Sequence, residues 1–427
     1  MSDIYFASGV RTPFSKVDGA LAGYDAIALS VPVVQAMAAR LKPGAKADFA
    51  VWSSVVPSLG WSNIAREIWL DARLDPTVPA YSVVLACASS VTAAIAAGGM
   101  LQEGARELAM VGGVESLSRV QIGLNQSLSD WLRHFLQARS LGAKLETFSE
   151  LRWHDIRLHI PAIVNRTTGK SMGEHTEDTA KEWHISREAQ DEWALEGHRR
   201  VMAARNKGFF EDLIIPVGVA DRDTIPREDT SMEKLARLPP AFDRLSGQGS
   251  LTAGNSSPLT DGAAAVWAAT KAGLTRLPAD TPFARLVDFE IASVDLQNEG
   301  LLMAPSYAIP RLFERRNLRY EDVDLWEIHE AFAAQVLANV AALEDSDWIK
   351  RKTGITRDFG PFPWNRVNPN GSSIAIGHPF AATGARDLSQ CVKELFAMRP
   401  GCRALVSVCA DGGQGVVALL ERTHGPS

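Results

Sequence analysis

Residues 83–94 read Val83-Val84-Leu85-Ala86-Cys87-Ala88-Ser89-Ser90-Val91-Thr92-Ala93-Ala94. The four apolar residues before Cys87 predict a short strand, and the small residues after it predict a helix. Cys87 would then stand at a strand-to-helix junction, where the helix dipole and the free N–H groups of the first turn stabilise a thiolate. Because a thiolate is a nucleophile, this order makes Cys87 a candidate catalytic residue. The alternative is a small, buried core cysteine.

The order of elements around this stretch recurs near the C-terminus. A strand predicted at 108–111 leads into Gly112-Gly113, and a strand predicted at 404–408 leads towards Gly412-Gly413. Each strand follows a small-residue helix that begins just after a reactive side chain, a cysteine in one half and a histidine in the other. The repetition predicts an internal duplication, and therefore an α/β protein of two similar halves.

Three regions follow from this pattern. Residues 1–120 alternate predicted strands and helices, and residues 248–280 complete this N-terminal half. Residues 121–247 are rich in Trp, His, Arg and Glu and contain no clear strands, which predicts an inserted loop domain. Residues 281–427 form the C-terminal half.

Composition excludes several classes of protein. The formal net charge of -6, from 44 Lys and Arg against 50 Asp and Glu, argues against a general nucleic-acid-binding protein. The four cysteines lack the paired C-x-x-C spacing of a zinc site, so we expect no metal, no disulfide framework and a reducing compartment. No signal sequence or run long enough to span a membrane is evident, which predicts a soluble, cytoplasmic protein.

Three further segments carry reactive side chains. His378 lies in a stretch of glycines and small residues, 368–379, where a ligand can approach closely and the imidazole can act as a base. Cys409 follows a buried strand and opens a glycine-rich turn, and His329 stands at a second strand-to-helix step. Taken singly, each has a purely structural alternative: a hydrogen-bonded turn histidine, a core cysteine, or the first turn of a helix.

Together these segments resemble the thiolase superfamily, in the family's order and over nearly the whole chain. The matching motifs are Cys87-Ala88-Ser89-Ser90, Gly112-Gly113-Val114-Glu115-Ser116, Thr252-Ala253-Gly254-Asn255-Ser256-Ser257, His329-Glu330-Ala331-Phe332, Gly377-His378-Pro379 and Cys409-Ala410-Asp411-Gly412-Gly413. The resemblance implies the thiolase fold, with two α/β halves in five layers, αβαβα, and an inserted loop domain at 121–247. Most thiolases have asparagine at the position of His329. A motif that begins with histidine here resembles the thiolase subunit of the trifunctional complexes of fatty-acid β-oxidation.

The resemblance implies a 3-ketoacyl-CoA thiolase, which cleaves 3-ketoacyl-CoA with free CoA through an acyl-enzyme on Cys87. His378 would take the proton of Cys87, and Cys409 would act as acid and base on the departing and entering groups. One oxyanion hole would use His378 and a water held by His329. The other would use the backbone N–H groups of Cys87 and Asp411, where Asp411 replaces the more usual glycine.

The implied ligands and partners follow from the same match. CoA is expected as a co-substrate, with no tightly bound cofactor, and with contacts from the inserted domain, including Met172, and from Ser257. A homodimer is implied, as is an α subunit carrying hydratase and dehydrogenase activities. The resemblance also implies that residues 130–160 contact the α subunit or a membrane surface; the alternative is an ordinary amphipathic helix packed on its own domain.

Other functions remain open from the sequence alone. They are an acetyl-CoA acetyltransferase that forms acetoacetyl-CoA, a condensing enzyme of the same fold, a non-catalytic carrier or assembly subunit, and a redox thiol protein. The presence of Cys87, His378 and Cys409 together argues against a non-catalytic subunit. The second cysteine argues against a condensing enzyme, and the absence of C-x-x-C argues against a redox protein.

Overall fold

The computed structural model describes residues 2–159, 161 and 163–424, in which helices pack on a large mixed β-sheet. The strands are β1 (Tyr5–Ala7), β2 (Ser15–Lys16), β3 (Phe49–Ser53), β4 (Ala80–Tyr81), β5 (Leu108–Glu115), β6 (Gly123–Leu124), β7 (Leu158–His159), β8 (Thr260–Ala269), β9 (Phe283–Ser293), β10 (Leu325–Ile328), β11 (Arg403–Ala410) and β12 (Gln414–Glu421). The helices are α1 (Ala26–Ala39), α2 (Ile64–Asp71), α3 (Ser89–Gln102), α4 (Gln126–Gln137), α5 (Leu141–Glu150), α6 (Met172–Glu182), α7 (Arg187–Asn206), α8 (Met232–Ala236), α9 (Lys271–Leu274), α10 (Pro305–Arg316), α11 (Ala333–Glu344), α12 (Ser346–Thr353), α13 (Ser373–Ile376) and α14 (Phe380–Phe396). None of the helices in these residues is both long and apolar enough to cross a lipid bilayer.

The sheet consists of two halves with the same strand arrangement. Its order is β10-β11-β12-β9-β1-β8-β5-β3-β4. In the N-terminal half, β1 pairs antiparallel with β8, and β8 pairs antiparallel with β5. In the C-terminal half, β9 pairs antiparallel with β12, and β12 pairs antiparallel with β11. The next strand in each half, β3 or β10, is parallel. The predicted duplication is therefore confirmed, and the antiparallel β1–β9 pair joins the two halves edge to edge.

The helices form three layers around the two half-sheets. Helices α3 and α14 lie in the middle, in an apolar core that contains side chains from both halves, among them Val111 and Val406. Helices α1 and α2 cover the outer face of the N-terminal half, and α10, α11 and α12 cover that of the C-terminal half. This is the predicted five-layered arrangement. The low amphipathicity of α3 fits its position, because a helix with most of its residues buried needs no broad polar face.

The two central helices approach each other closely at small residues. A Cβ on Gly384 of α14 would lie 2.6 Å from the backbone nitrogen of Val91 in α3. The N–H of Ala385 donates a 2.7 Å hydrogen bond to the Oγ of Ser90. Because Cys87 immediately precedes α3 and His378 immediately precedes α14, this contact brings the two reactive side chains to the same place.

Two local predictions were wrong. The strand expected at Val83–Ala86 is instead β4, at Ala80–Tyr81, and it is followed by a turn around Ala86. The pair Gly112-Gly113 does not end a strand but lies inside β5. The glycines are required there by packing, because a Cβ on Gly113 would lie 2.1 Å from the carbonyl oxygen of Ala381.

The region between the two parts of the N-terminal half contains α4 to α8 and the β6–β7 pair. Helices α6 and α7 bury one face against the rest of the molecule, whereas α4 and α5 contain no buried residue. The domain boundaries at 121 and 247 and the binding roles expected of this region stay predictions.

Candidate active site

Cys87 lies in a tight turn that hydrogen bonds to itself. The N–H of Leu85 donates to the Oγ of Ser89 (2.8 Å), and that hydroxyl donates to the carbonyl oxygen of Ala86 (2.6 Å). Ala86 has a φ of 43°, in the left-handed region that residues with a Cβ seldom adopt. The turn therefore holds the partly exposed Cys87 at a fixed position directly before α3.

His378 is in hydrogen-bond contact with Cys87. Its Nε2 lies 3.1 Å from the Sγ of Cys87, and its Nδ1 lies 2.7 Å from the Oγ1 of Thr383 in α14. The backbone N–H of His378 donates to the carbonyl oxygen of Pro258, which fixes the loop before the helix. When Nδ1 carries the proton and donates it to Thr383, the free lone pair of Nε2 faces the thiol and can accept its proton.

Burial keeps both partners neutral at rest. Burial raises the pKa of Cys87 to about 12, helped by the charge of Asp411. The backbone N–H groups of Asp411 and of Cys87 itself lower this pKa, but by less. Burial, and then the charge of Arg386, lower the pKa of His378 to about 3. The thiol is therefore protonated at rest and needs its base, because desolvation in the folded site outweighs the stabilisation of a thiolate by the helix dipole.

His329 lies beside His378 with its ring centroid 4.2 Å away. It is fully buried, and its Nδ1 is 2.8 Å from the Oγ of Ser373. One ring nitrogen of each histidine and the Sγ of Cys87 lie within 4.8 Å of one another, the closest approach to a metal-binding set among the described residues. That no metal takes part stays a prediction from the sequence.

Cys409 and Asp411 lie at the end of β11 and in the turn after it. Cys409 is almost fully buried, and burial followed by the proximity of Cys87 raises its pKa well above the usual range, so that it carries a proton. The carboxylate of Asp411 accepts hydrogen bonds from the Nδ2 of Asn165 (2.8 Å) and from the N–H of Gly412 (2.6 Å). The backbone N–H of Asp411 lies close enough to Cys87 to lower the pKa of its thiol.

An apolar cavity of about 510 Å³ opens onto the thiol. Cys87 and Asp411 belong to its lining, and the other lining side chains are apolar, among them Met172 at the start of α6. Ser257 is not part of the lining. Its N–H donates to the carbonyl oxygen of Ala331 (2.9 Å) and so joins the loop before β8 to the segment that carries His329.

Several residues that hold the site together were not identified from the sequence. They are Thr383, Ser373, Arg386 and Glu115. Buried Glu115 accepts hydrogen bonds from the N–H groups of Val55 (3.1 Å), Val56 (3.0 Å) and Ala381 (3.3 Å), and thus joins the cavity wall to the start of α14. Glu115 and Ser373 lie inside the quoted stretches, and Thr383 and Arg386 follow His378 by five and eight positions, but sequence alone does not reveal which side chains they contact.

Matches to family models span both halves of this structure. The model described as "Thiolase, N-terminal domain" matches residues 4–272, and "Thiolase, C-terminal domain" matches residues 280–422. The chain belongs to the thiolase family. The matched regions contain all the reactive residues described above, so the site lies within the part of the fold that defines the family.

Named relatives and solved structures are similar over almost their full length. This thiolase is 38% identical to the 3-ketoacyl-CoA thiolases of Yersinia pestis (strain Pestoides F) and Yersinia pseudotuberculosis serotype O:1b (strain IP 31758), over 98% of this chain and 96% of theirs. The Acat5 thiolase from Ascaris suum, solved in complex with coenzyme A, superposes with a TM-score of 0.79 at 26% identity, covering 98% of this chain and 100% of that one. The Bacillus anthracis acetyl-CoA acetyltransferase gives a TM-score of 0.79 at 29% identity, covering 99% of both chains.

Proposed function

We propose that this thiolase cleaves 3-ketoacyl-CoA with free CoA, giving acetyl-CoA and an acyl-CoA shortened by two carbons. The observation that carries the proposal is the 3.1 Å contact between the Cys87 Sγ and the His378 Nε2 at an apolar cavity. A nucleophile with its base in contact, beside a second acid, supplies the groups that an acyl transfer needs. The relatives named 3-ketoacyl-CoA thiolase support the choice of substrate.

In the first half-reaction, the His378 Nε2 takes the thiol proton while the Cys87 Sγ attacks the 3-keto carbon. Collapse of the tetrahedral alkoxide breaks the C2–C3 bond, and its electron pair stays on C2 of the departing acetyl-CoA. Cys409 gives its proton to that carbon. The products are acetyl-CoA, a thioester on Cys87, an imidazolium at His378 and a thiolate at Cys409.

In the second half-reaction, the Cys409 thiolate takes the thiol proton of an entering CoA, which then attacks the thioester. The Cys87 sulfur leaves and regains its proton from His378. Each side chain returns to its starting state, so no oxidant or metal is consumed. The covalent intermediate divides one difficult carbon–carbon cleavage into two easier steps.

Negative charge on the thioester oxygen needs hydrogen-bond donors in place beforehand. The backbone N–H groups of Cys87 and Asp411 both act on the sulfur, since each lowers the pKa of the thiol. We propose that they form one oxyanion hole, in which each donor stabilises the transition state by about 2.7–4 kcal/mol. The hydrogen bonds from Asn165 and Gly412 to Asp411 hold its carboxylate, whose charge would otherwise oppose the developing oxyanion more strongly.

The proposal is tested with a series of 3-ketoacyl-CoA substrates and free CoA, following loss of the 3-ketoacyl absorbance. We expect thiolysis, with kcat/KM rising from acetoacetyl-CoA to longer chains because added methylenes enter the apolar cavity at about 0.8 kcal/mol each. A preference for acetoacetyl-CoA would instead favour an acetyl-CoA acetyltransferase. No turnover of any member, in protein that is folded by circular dichroism, would contradict the thiolase activity.

The α4–α5 hairpin is a second feature with an expected partner. It exposes Leu136 (71%), Leu145 (63%) and Phe148 (60%), and the following Trp153 is 90% exposed. Residues 126–157 hold five Lys and Arg against four Asp and Glu, so the excess of acidic residues lies elsewhere in the chain. We propose that this hairpin docks on an anionic lipid surface, where apolar side chains enter the interface between basic ones. A homodimer and a bound α subunit stay proposals from the family resemblance.

Substitution of Leu136, Leu145 and Trp153 by glutamate together should abolish cosedimentation with phosphatidylglycerol-containing vesicles while leaving thiolysis in solution intact. The control is Leu245→Glu, because Leu245 is 98% exposed and lies outside the hairpin. Two results would overturn the lipid proposal: wild-type protein that stays in the supernatant, or a triple variant that loses binding to an α subunit and not to vesicles.

A further inference from the structure

His329 has one ring nitrogen with a partner and one without. Nδ1 is 2.8 Å from the Oγ of Ser373, whereas buried Nε2 has no hydrogen-bond partner among the residues that the structure describes. A buried polar atom without a partner costs free energy, so Nε2 needs a partner from outside the described side chains, either a group of the substrate or a water. Which proton state Nε2 has decides what that group can be.

The residues behind His329 determine the position of its proton. An Arg386 nitrogen lies 2.8 Å from the Oγ of Ser373, and a guanidinium can only donate. The hydroxyl of Ser373 therefore accepts from Arg386. Among the described residues its only other hydrogen-bond partner is the Nδ1 of His329, so the hydroxyl proton is satisfied only when it is donated to Nδ1. In a neutral imidazole that accepts at Nδ1, the proton is on Nε2.

The same logic gives the neighbouring histidine the opposite tautomer. His378 must keep the Nε2 lone pair free for the Cys87 thiol, so its Nδ1–H donates to Thr383. Burial and the charges of His378 and Arg386 lower the pKa of His329 well below its usual range, so His329 is neutral too. The hydroxyl of Thr383 thus accepts from His378, and the hydroxyl of Ser373 donates to His329. The two adjacent imidazoles are therefore held as opposite tautomers.

We propose that Arg386 and Ser373 are positioning residues that fix His329 with its proton on Nε2, so that His329 itself donates a hydrogen bond to the substrate oxygen that becomes negative. This inference rests on the proposed thiolysis. It extends the site to a buried arginine that touches no reacting atom. Arg386 also forms an ion pair with Asp387 through the same terminal nitrogen (2.6 Å), and both side chains are almost fully buried.

The proposal is tested at Ser373, because the buried Arg386 is needed for packing. Ser373→Ala removes the donor to Nδ1 and should lower kcat at least about tenfold while KM changes less than twofold, as expected when a transition-state donor is misplaced. Ser373→Thr keeps the hydroxyl and should restore most of the rate. Ser372→Ala is the matched control, because the Oγ of Ser372 also accepts from Arg386 (3.2 Å) but donates to Ile328 and does not contact His329.

A double-mutant cycle separates positioning from a structural role. The amide of an asparagine donates without a tautomer, so in a His329→Asn background Ser373→Ala should change kcat less than twofold. An equal loss in both backgrounds would overturn the proposal.

NMR of protein labelled with ¹⁵N-histidine tests the tautomer without turnover. We expect the proton on Nε2 in the wild type and a mixture in Ser373→Ala. A wild-type His329 protonated on Nδ1 would overturn the positioning role. Absence of thiolysis together with an Nε2 proton would overturn the proposed function and leave the tautomer assignment standing.

Discussion

Replacing Cys87 with alanine is expected to lower thiolysis by about 10⁴-fold or more, the scale seen when a covalent nucleophile is removed. The variant keeps His378, Cys409 and the backbone donors but has no atom that can hold the acyl group. Because Cys87 is a small, partly exposed side chain in a turn that is fixed by its own hydrogen bonds, the fold should be retained, with little change in Tm.

The readout that identifies the nucleophile is the mass of the protein after incubation with 3-ketoacyl-CoA in the absence of free CoA. Wild-type protein should gain the mass of one acyl group, and Cys87→Ala should gain none. Cys402→Ala serves as the control, since Cys402 is a buried cysteine outside the site. Acylation of Cys409 in the Cys87 variant would assign the covalent step to the other sulfur.

The duplicated architecture could be predicted from the sequence because it depends on the order of strands and helices along the chain. Two similar strand patterns, at 108–111 and 404–408, each followed a small-residue helix, and the structure places β5 and β11 at equivalent positions of the two half-sheets. Small residues after Cys87 and His378 indicated helices, and the same small size lets α3 and α14 pack closely. The convergence of the two reactive side chains follows from that contact.

The structural role of each glycine pair, in a turn or inside a strand, could not be predicted in the same way. Gly412-Gly413 forms a turn between β11 and β12, whereas Gly112-Gly113 lies within β5. The difference comes from the carbonyl oxygen of Ala381, which is 268 positions along the chain from Gly113 and directly against it in space. Sequence patterns describe neighbours along the chain, and this constraint comes from a neighbour across the core.

The protonation states of the site also depend on tertiary structure. The position of Cys87 before a helix favours a thiolate, but burial in the assembled site keeps the thiol protonated until its base takes the proton. His329 was identified from its motif, yet its link through Ser373 to Arg386 joins α13 to α14 and has no signature along the chain. Motifs thus identified the reacting groups, and the fold determined where their protons are.

Replacing His378 with asparagine should lower turnover by about 10²–10⁴-fold, the usual contribution of a positioned base. It should also change the pH dependence. The pKa values of about 3 for His378 and about 12 for Cys87 mean that the wild-type pair is neutral across the working range. Proton transfer within the pair releases no proton to solvent, so the wild-type rate should be nearly independent of pH between about 7 and 9.

Without the imidazole, the thiol must lose its proton to solvent, and the thiolate fraction rises tenfold for each pH unit below a pKa that is raised to about 12. Alkylation of Cys87 by iodoacetamide measures this fraction without requiring turnover. In His378→Asn, the logarithm of the alkylation rate should therefore rise by about one for each pH unit, across the pH range in which the wild-type rate does not change. His184→Asn is the matched control, because His184 is exposed and its left-handed backbone (φ 53°) accommodates asparagine. A flat profile in His378→Asn would mean that another group takes the proton of Cys87.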